Sequence, residues 1–126
     1  MDVTKQLCEY VQDFHYEQIP DEVLEKAKIC ILDCIGCAAG GLGDACTRMI
    51  HDYARDYAGR GRSTIFGLKA KTDPAHAALA NGIIAHALDF DDYHGETIIH
   101  GTAACLPAIL SIAEERDLSG KDILTA

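Results

Sequence analysis

Six alanines between Pro74 and Leu88 constrain this chain more than any other stretch. Asp73-Pro74 starts a helix there, with an acid to cap it and proline at the first helical position. Ala75, Ala77, Ala78, Ala80, Ala85 and Ala87 follow. Side chains this small let neighbouring helices come close, so the run predicts a central, buried helix over 74–88. That helix is expected to deliver His86 and Asp89 at its C-terminal end.

The other segments also read as helices. Leu7, Val11 and Phe14 recur at helical spacing from Thr4 to Phe14. Ile19-Pro20-Asp21-Glu22 opens a second helix, with acids at the positive end of its dipole. Val23, Leu24, Ala27, Ile31, Cys34, Ile35 and Ala38 give it one broad apolar face, which Gly40-Gly41 ends. Asp44 caps a third helix predicted to turn Met49, Ile50, Tyr53 and Tyr57 inward. Gly59 to Gly67 breaks the pattern, and only Ser63 to Phe66 looks extended. Tyr93 to Ile99 reads as a loop. A further helix begins at Gly101-Thr102, with Leu106, Ile109, Leu110 and Ala113 inward and Pro107 near its first turns. Ser119-x-x-Asp122 resembles a capping box. The helix it opens is too short to be stable alone. The expected fold class is therefore all-α, with about five helices, a truncated sixth and no sheet core. The chain is expected to be part of a longer polypeptide.

Composition narrows the function. The chain has 126 residues, 48% of them hydrophobic, which is enough for one real core. A net charge of −9 argues against nucleic acid or an anionic membrane surface as partner. The N-terminus lacks the basic and apolar regions of a signal peptide, and charges interrupt every apolar run short of a membrane span. A cytoplasmic protein is expected. The six cysteines lie within apolar patterns, so reduced, buried thiols fit better than disulfides. Cys30, Cys34 and Cys37 have the spacing of an iron–sulfur loop. On a helix rising about 1.5 Å per residue they would spread over about 10 Å, too far for one cluster.

Proton-transfer groups crowd into one place. His86, Asp89, Asp91, Asp92, His94 and His100 fall within fifteen residues. Histidine exchanges protons near neutral pH, and aspartate orients it or serves as a second acid or base. His100 precedes a helix start, where the amides of Gly101, Thr102 and Ala103 suit a carboxylate ligand. Proton abstraction beside a carboxylate is the natural reaction class, and a solvated acidic loop is the alternative on residue types alone. Asp89, Asp91, Asp92, His94 and His100 could also ligate a metal. Against that, the chain has no HExxH, and an alternating Asp-Phe-Asp at a helix end points its two carboxylates apart. His15, His51 and His76 read as surface or structural. No lysine or arginine lies near the cluster to attract an anionic substrate.

The chain resembles the MmgE/PrpD family, which includes 2-methylcitrate dehydratase, cis-aconitate decarboxylase and iminodisuccinate epimerase. The resemblance runs through Ile19-Pro20, Leu32-Asp33-Cys34-Ile35-Gly36, Ser63-Thr64 before Gly67, and Ala77-Ala78-Leu79-Ala80-Asn81-Gly82. It continues through His86-Ala87-Leu88-Asp89-Phe90-Asp91-Asp92, His100, Ala103-Ala104, Leu106-Pro107-Ala108 and Ser119-Gly120-Lys121-Asp122. It implies the N-terminal part of a helical domain, with the rest of that domain and an α+β domain lying outside the chain. It also implies a homodimeric enzyme acting on di- or tricarboxylates without metal or other cofactor, with the missing cations supplied by later segments.

Site residues carry over at a few positions. Asp89 matches the first aspartate of the family's Asp-Phe-Asp-Asp motif. His100 matches a histidine that usually precedes Pro-Ser, where this chain has Gly101-Thr102. His94 matches a histidine of many bacterial members, and Tyr93 stands where many have threonine. Catalytic roles are therefore expected for Asp89, Asp92, His94 and His100, and substrate binding by Tyr93 and by the helix-start amides of Gly101 and Thr102. Asn81 and His86 belong to the motif as possible structural residues. Three readings stay open: a lyase or epimerase, a metal-dependent helical hydrolase using the same cluster, and a non-catalytic helical module.

Overall fold

The computed structural model describes residues 2–126. Six helices run in order: α1 (Val3–Asp13), α2 (Asp21–Gly41), α3 (Ala45–Tyr57), α4 (Pro74–Ala85), α5 (Gly101–Arg116) and α6 (Gly120–Thr125). A 3-10 turn at Tyr16–Gln18 links α1 to α2. The only sheet among the described residues is an antiparallel ribbon of β1 (Ser63–Thr64) and β2 (Lys71–Thr72), paired Ser63 to Thr72 and Thr64 to Lys71. The fold is all-α, as the sequence predicts. Among the described residues, no single helix is long and apolar enough to cross a membrane.

The alanine-rich helix is the centre. Ala77, Ala80, Ile84 and Ala85 of α4 are all within 1% of full burial, and α4 packs on α2, α3 and α5. Small residues make that proximity possible. At Gly41 of α2, an added Cβ would lie 2.7 Å from the Ile84 carbonyl oxygen and 2.9 Å from the Ala87 methyl. Asp73 caps α4 by accepting from the amides of Ala75 and His76.

The ribbon is fastened from both sides. Asn81 of α4 accepts from the Phe66 amide and donates to the Thr64 carbonyl, both at 2.8 Å, as a neighbouring strand would. Glu114 of α5 accepts from the Thr64 amide and hydroxyl.

Several expected details differ. The α4 helix ends at Ala85, not Leu88. His86 is its C-cap, the next residues form tight turns, and Asp89 takes a left-handed backbone at φ +49°. Aspartate tolerates that conformation better than most residues. On α3, Met49 and Tyr57 point outward, at 68% and 69% exposure, and Tyr53 is also exposed. The buried face is Thr47, Ile50, His51 and Ala54, because the crowded α4 surface accepts small or hydrogen-bonded side chains. His51 bonds the Phe66 carbonyl at 2.8 Å and is structural.

The buried stripe of α2 is narrower than its sequence pattern. Val23 and Ile35 are exposed, whereas Leu24, Cys34, Cys37 and Ala38 are buried. In α5, Ile109 and Leu110 are half-buried, and Pro107 lies inside the helix beyond its first turn. No residue of α1 is buried, since Leu7 and Val11 face outward. All six cysteines are free. Contrary to expectation only Cys34 and Cys37 are buried: Cys30 and Cys46 are half-buried, and Cys8 and Cys105 lie exposed on the outer faces of α1 and α5. Cys30, Cys34 and Cys37 are strung along α2, as the cluster argument requires.

Candidate active site

The early end of α4 brings the acid–histidine segment back over itself. Asp91 is its hub. Its side chain has no exposed surface, and each carboxylate oxygen accepts from a different imidazole. Oδ1 takes His86 Nδ1 at 2.8 Å, and Oδ2 takes His100 Nδ1 at 3.1 Å. A carboxylate only accepts, so both Nδ1 atoms carry a proton and each Nε2 is left as the atom that can take or give one. The two rings meet edge to face at 4.8 Å. Asp89 faces them, with Oδ1 3.8 Å from each Nε2.

Asp89 and Asp91 therefore converge on the same pair of rings. The expectation that Asp-Phe-Asp separates its carboxylates fails because it assumed a helix continuing through these residues. Phe90 between them is 80% exposed while Asp91 is 3% exposed, the reverse of their hydropathies.

The remaining candidates sit around this core. Asp92 Oδ2 accepts from the Thr102 hydroxyl at 2.7 Å, and its Oδ1 is buried without a partner among the described residues. The Thr102 hydroxyl is thus engaged by Asp92 at the start of α5, while the substrate role expected there falls to backbone amides. His94 turns into its own loop, bonding Thr97 Oγ1 at 3.0 Å and bridging to Ile99. Tyr93 is exposed, its ring 6.2 Å from that of His100. His100 is the N-cap of α5 but makes no capping bond with its side chain, which goes to Asp91 instead.

Beneath the site lies Cys34 of α2. Burial, with the carboxylates of Asp91 and Asp92 adding to it, pushes its thiol up to about 11. It stays a thiol and is no nucleophile near neutral pH. Beside the two histidines opens a groove of about 590 Å³, lined chiefly by apolar residues including Leu79, Gly82, Ile83 and Ala104. No lysine or arginine occurs between Lys71 and Arg116.

The sequence profile of the MmgE/PrpD N-terminal domain matches residues 5–126. The chain belongs to the MmgE/PrpD family. Among curated relatives, the cis-aconitate decarboxylase of Aspergillus terreus is 30% identical over 129 residues, covering 98% of this chain and 26% of its own. The human cis-aconitate decarboxylase is 32% identical, covering 98% of this chain and 27% of its own. A cis-aconitate decarboxylase-like protein of Aspergillus oryzae, oryM, is 31% identical over the same share of this chain and 27% of its own. The chain thus spans about a quarter of the length of the curated relatives it matches. This MmgE/PrpD match covers α2 to α6 whole and all but the first two residues of α1, with the His86–His100 segment inside it.

Two members of the cluster are not singled out by sequence reasoning. His86 reads as a structural residue of the motif, and Asp91 as a metal ligand or part of a solvated acidic loop. Spacing offered no signal for either, because their meeting depends on the left-handed turn at Asp89.

Proposed function

We propose that this chain supplies the histidine–aspartate part of the active site of a lyase. That lyase transfers protons, without metal, at a carbon next to a carboxylate of a small di- or tricarboxylate. The observation that carries this reading is the shared carboxylate. Asp91 holds His86 and His100 by Nδ1 and leaves both Nε2 atoms facing the same Asp89 oxygen, free to take or give a proton. Asp89, on the open side of the rings, is the remaining acid or base. Cis-aconitate is the first substrate to test, since the relatives named above are cis-aconitate decarboxylases.

The chemistry is balanced by one histidine. In decarboxylation the carbon–carbon bond breaks, carbon dioxide leaves, and His100 in its protonated form gives its proton to the resulting carbanion. In dehydration or epimerisation neutral His100 takes a proton from carbon, and the electron pair moves into the neighbouring carboxylate. Loss of a β-hydroxide, or return of a proton to the other face, completes the reaction. Cations for the substrate carboxylates come, on this reading, from residues outside the chain. The active form is a homodimer of a longer polypeptide in which this chain is the N-terminal part of the helical domain.

The test uses the full chain against cis-aconitate and other small di- and tricarboxylates. Carbon dioxide release, unsaturated product and loss of optical activity are followed. His100→Ala should lower turnover by about 10²–10⁴-fold, the usual worth of a general acid–base group, with unchanged circular dichroism. His15→Ala, remote from the cluster, serves as control. Near-normal turnover by His100→Ala would pass the role to Asp89, His86 or a base elsewhere. The hydrolase alternative needs a metal for activity, so turnover that survives a chelator counts against it.

A further inference from the structure

We propose that His86, Asp89 and His100 also form a binding site for one borderline divalent cation, of which Zn²⁺ is the type, with Asp91 as its outer-sphere carboxylate. Geometry is the first argument. One donor atom from each of His86, Asp89, Asp91 and His100 lies within 4.8 Å of the others. Both imidazole Nε2 atoms stand 3.8 Å from the same Asp89 oxygen, beyond hydrogen-bond reach. Ligand atoms about 2.0–2.1 Å from a tetrahedral Zn²⁺ lie roughly 3.4 Å apart, so a closure of about half an ångström brings Asp89 to ligand spacing from both rings. Asp89 has room to make it, because its side chain is 81% exposed on a turn.

The outer sphere is the second argument. A histidine that ligates through one nitrogen commonly donates its other N–H to a carboxylate, which fixes the ring and raises its basicity. Here a single buried carboxylate does this for two rings at once. The Nε2 lone pairs are thereby ready for a cation without any change of tautomer.

Charge is the third and is independent of the distances. Asp89 and Asp91 both face the two rings, and the segment from 72 to 115 contains no lysine or arginine. An anionic substrate meets an unfavourable field from these residues, and a divalent cation a favourable one. Two imidazoles and one carboxylate suit Zn²⁺ better than Mg²⁺ or Ca²⁺, which prefer all-oxygen sites. Three protein ligands leave the fourth position to water. Read with the lyase proposal, occupancy engages both Nε2 lone pairs, so the ion inhibits turnover and does not support it.

Binding is measured without substrate, so it stands or falls apart from the lyase reading. The full chain, stripped with chelator, is titrated calorimetrically with Zn²⁺ and spectroscopically with Co²⁺. We expect one ion per chain and a tetrahedral Co²⁺ spectrum free of thiolate charge-transfer bands. His86→Ala and His100→Ala should each weaken binding at least tenfold. Asp91→Asn should weaken it about 10–100-fold, the usual effect of removing an outer-sphere partner. His15→Ala should bind as the unaltered protein does, and circular dichroism checks that each variant is folded. Absence of stoichiometric binding overturns the proposal. So does binding that survives both histidine substitutions, or a Co²⁺ spectrum dominated by thiolate bands.

Discussion

Replacing Asp91 by asparagine tests the shared-carboxylate geometry with almost no change of shape. The native carboxylate accepts two Nδ1–H bonds, at 2.8 and 3.1 Å, with no exposed surface. A carboxamide has one oxygen and one NH₂ group. One ring keeps an acceptor, while the other faces a donor and must carry its proton on Nε2 instead. That ring loses a hydrogen bond to a charged group, worth about 1.5–3 kcal/mol, and its free lone pair turns away from the site. If the whole loss falls on the transition state, it corresponds to roughly a 10–150-fold decrease in kcat/KM. The fall should lie mainly in kcat, since Asp91 positions the histidines and is sealed from substrate. Nitrogen-15 NMR supplies the independent reading. Both His86 and His100 should be protonated at Nδ1 in the native protein, and one of them at Nε2 in Asp91→Asn. Native rings protonated at Nε2, or a variant with unchanged tautomers and kcat, would refute the reasoning.

Other expectations follow from the packing and the caps. Gly41→Ala drives a methyl to 2.7 Å from the Ile84 carbonyl oxygen and should cost about 1–3 kcal/mol of stability in urea denaturation. Burial raises the Asp73 carboxyl, but hydrogen bonds from His76 and the Gly59 amide outweigh it and hold the group at about 2, below its ordinary 3.8. Its contribution is therefore present above pH 4 and lost as pH falls from about 4 to 2, a loss that acid melts should show and Asp73→Asn should blunt. The 126-residue chain by itself should self-associate through exposed apolar side chains such as Leu7, Val11, Ile29 and Leu32. A monodisperse monomer at high concentration in light scattering would count against that.

The helices were legible because their signals are local. Asp73-Pro74, Asp44 and Ser119-x-x-Asp122 each announce a start, and each caps in the structure. The alanine run announced its own burial. Which way the bulky residues of α3 face was not legible, because the choice is made by the partner surface. Met49 and Tyr57 fit a helical stripe as well as Ile50 does, but α4 leaves them no space. In the site, His100 and Asp89 stood out by residue type and by resemblance. The hub at Asp91 did not, since it follows from a left-handed residue at Asp89 that turns Phe90 out and Asp91 in. Helical periodicity holds only while the helix lasts, and α4 stops three residues earlier than its composition implies.

The fastening of the β1–β2 ribbon bears on the order in which the chain folds. Two-residue strands are far below the length at which a hairpin holds together in water. The bonds that secure them come from Asn81, 17 residues beyond Thr64, and from Glu114, 50 residues beyond it. Such separations carry a loop-closure cost that must be met before the bonds form. The ribbon should therefore appear late, after α4 and α5 have docked on each other. In native-state hydrogen exchange the amides of Thr64 and Phe66 should open together with those helices, not as a separate, weaker unit.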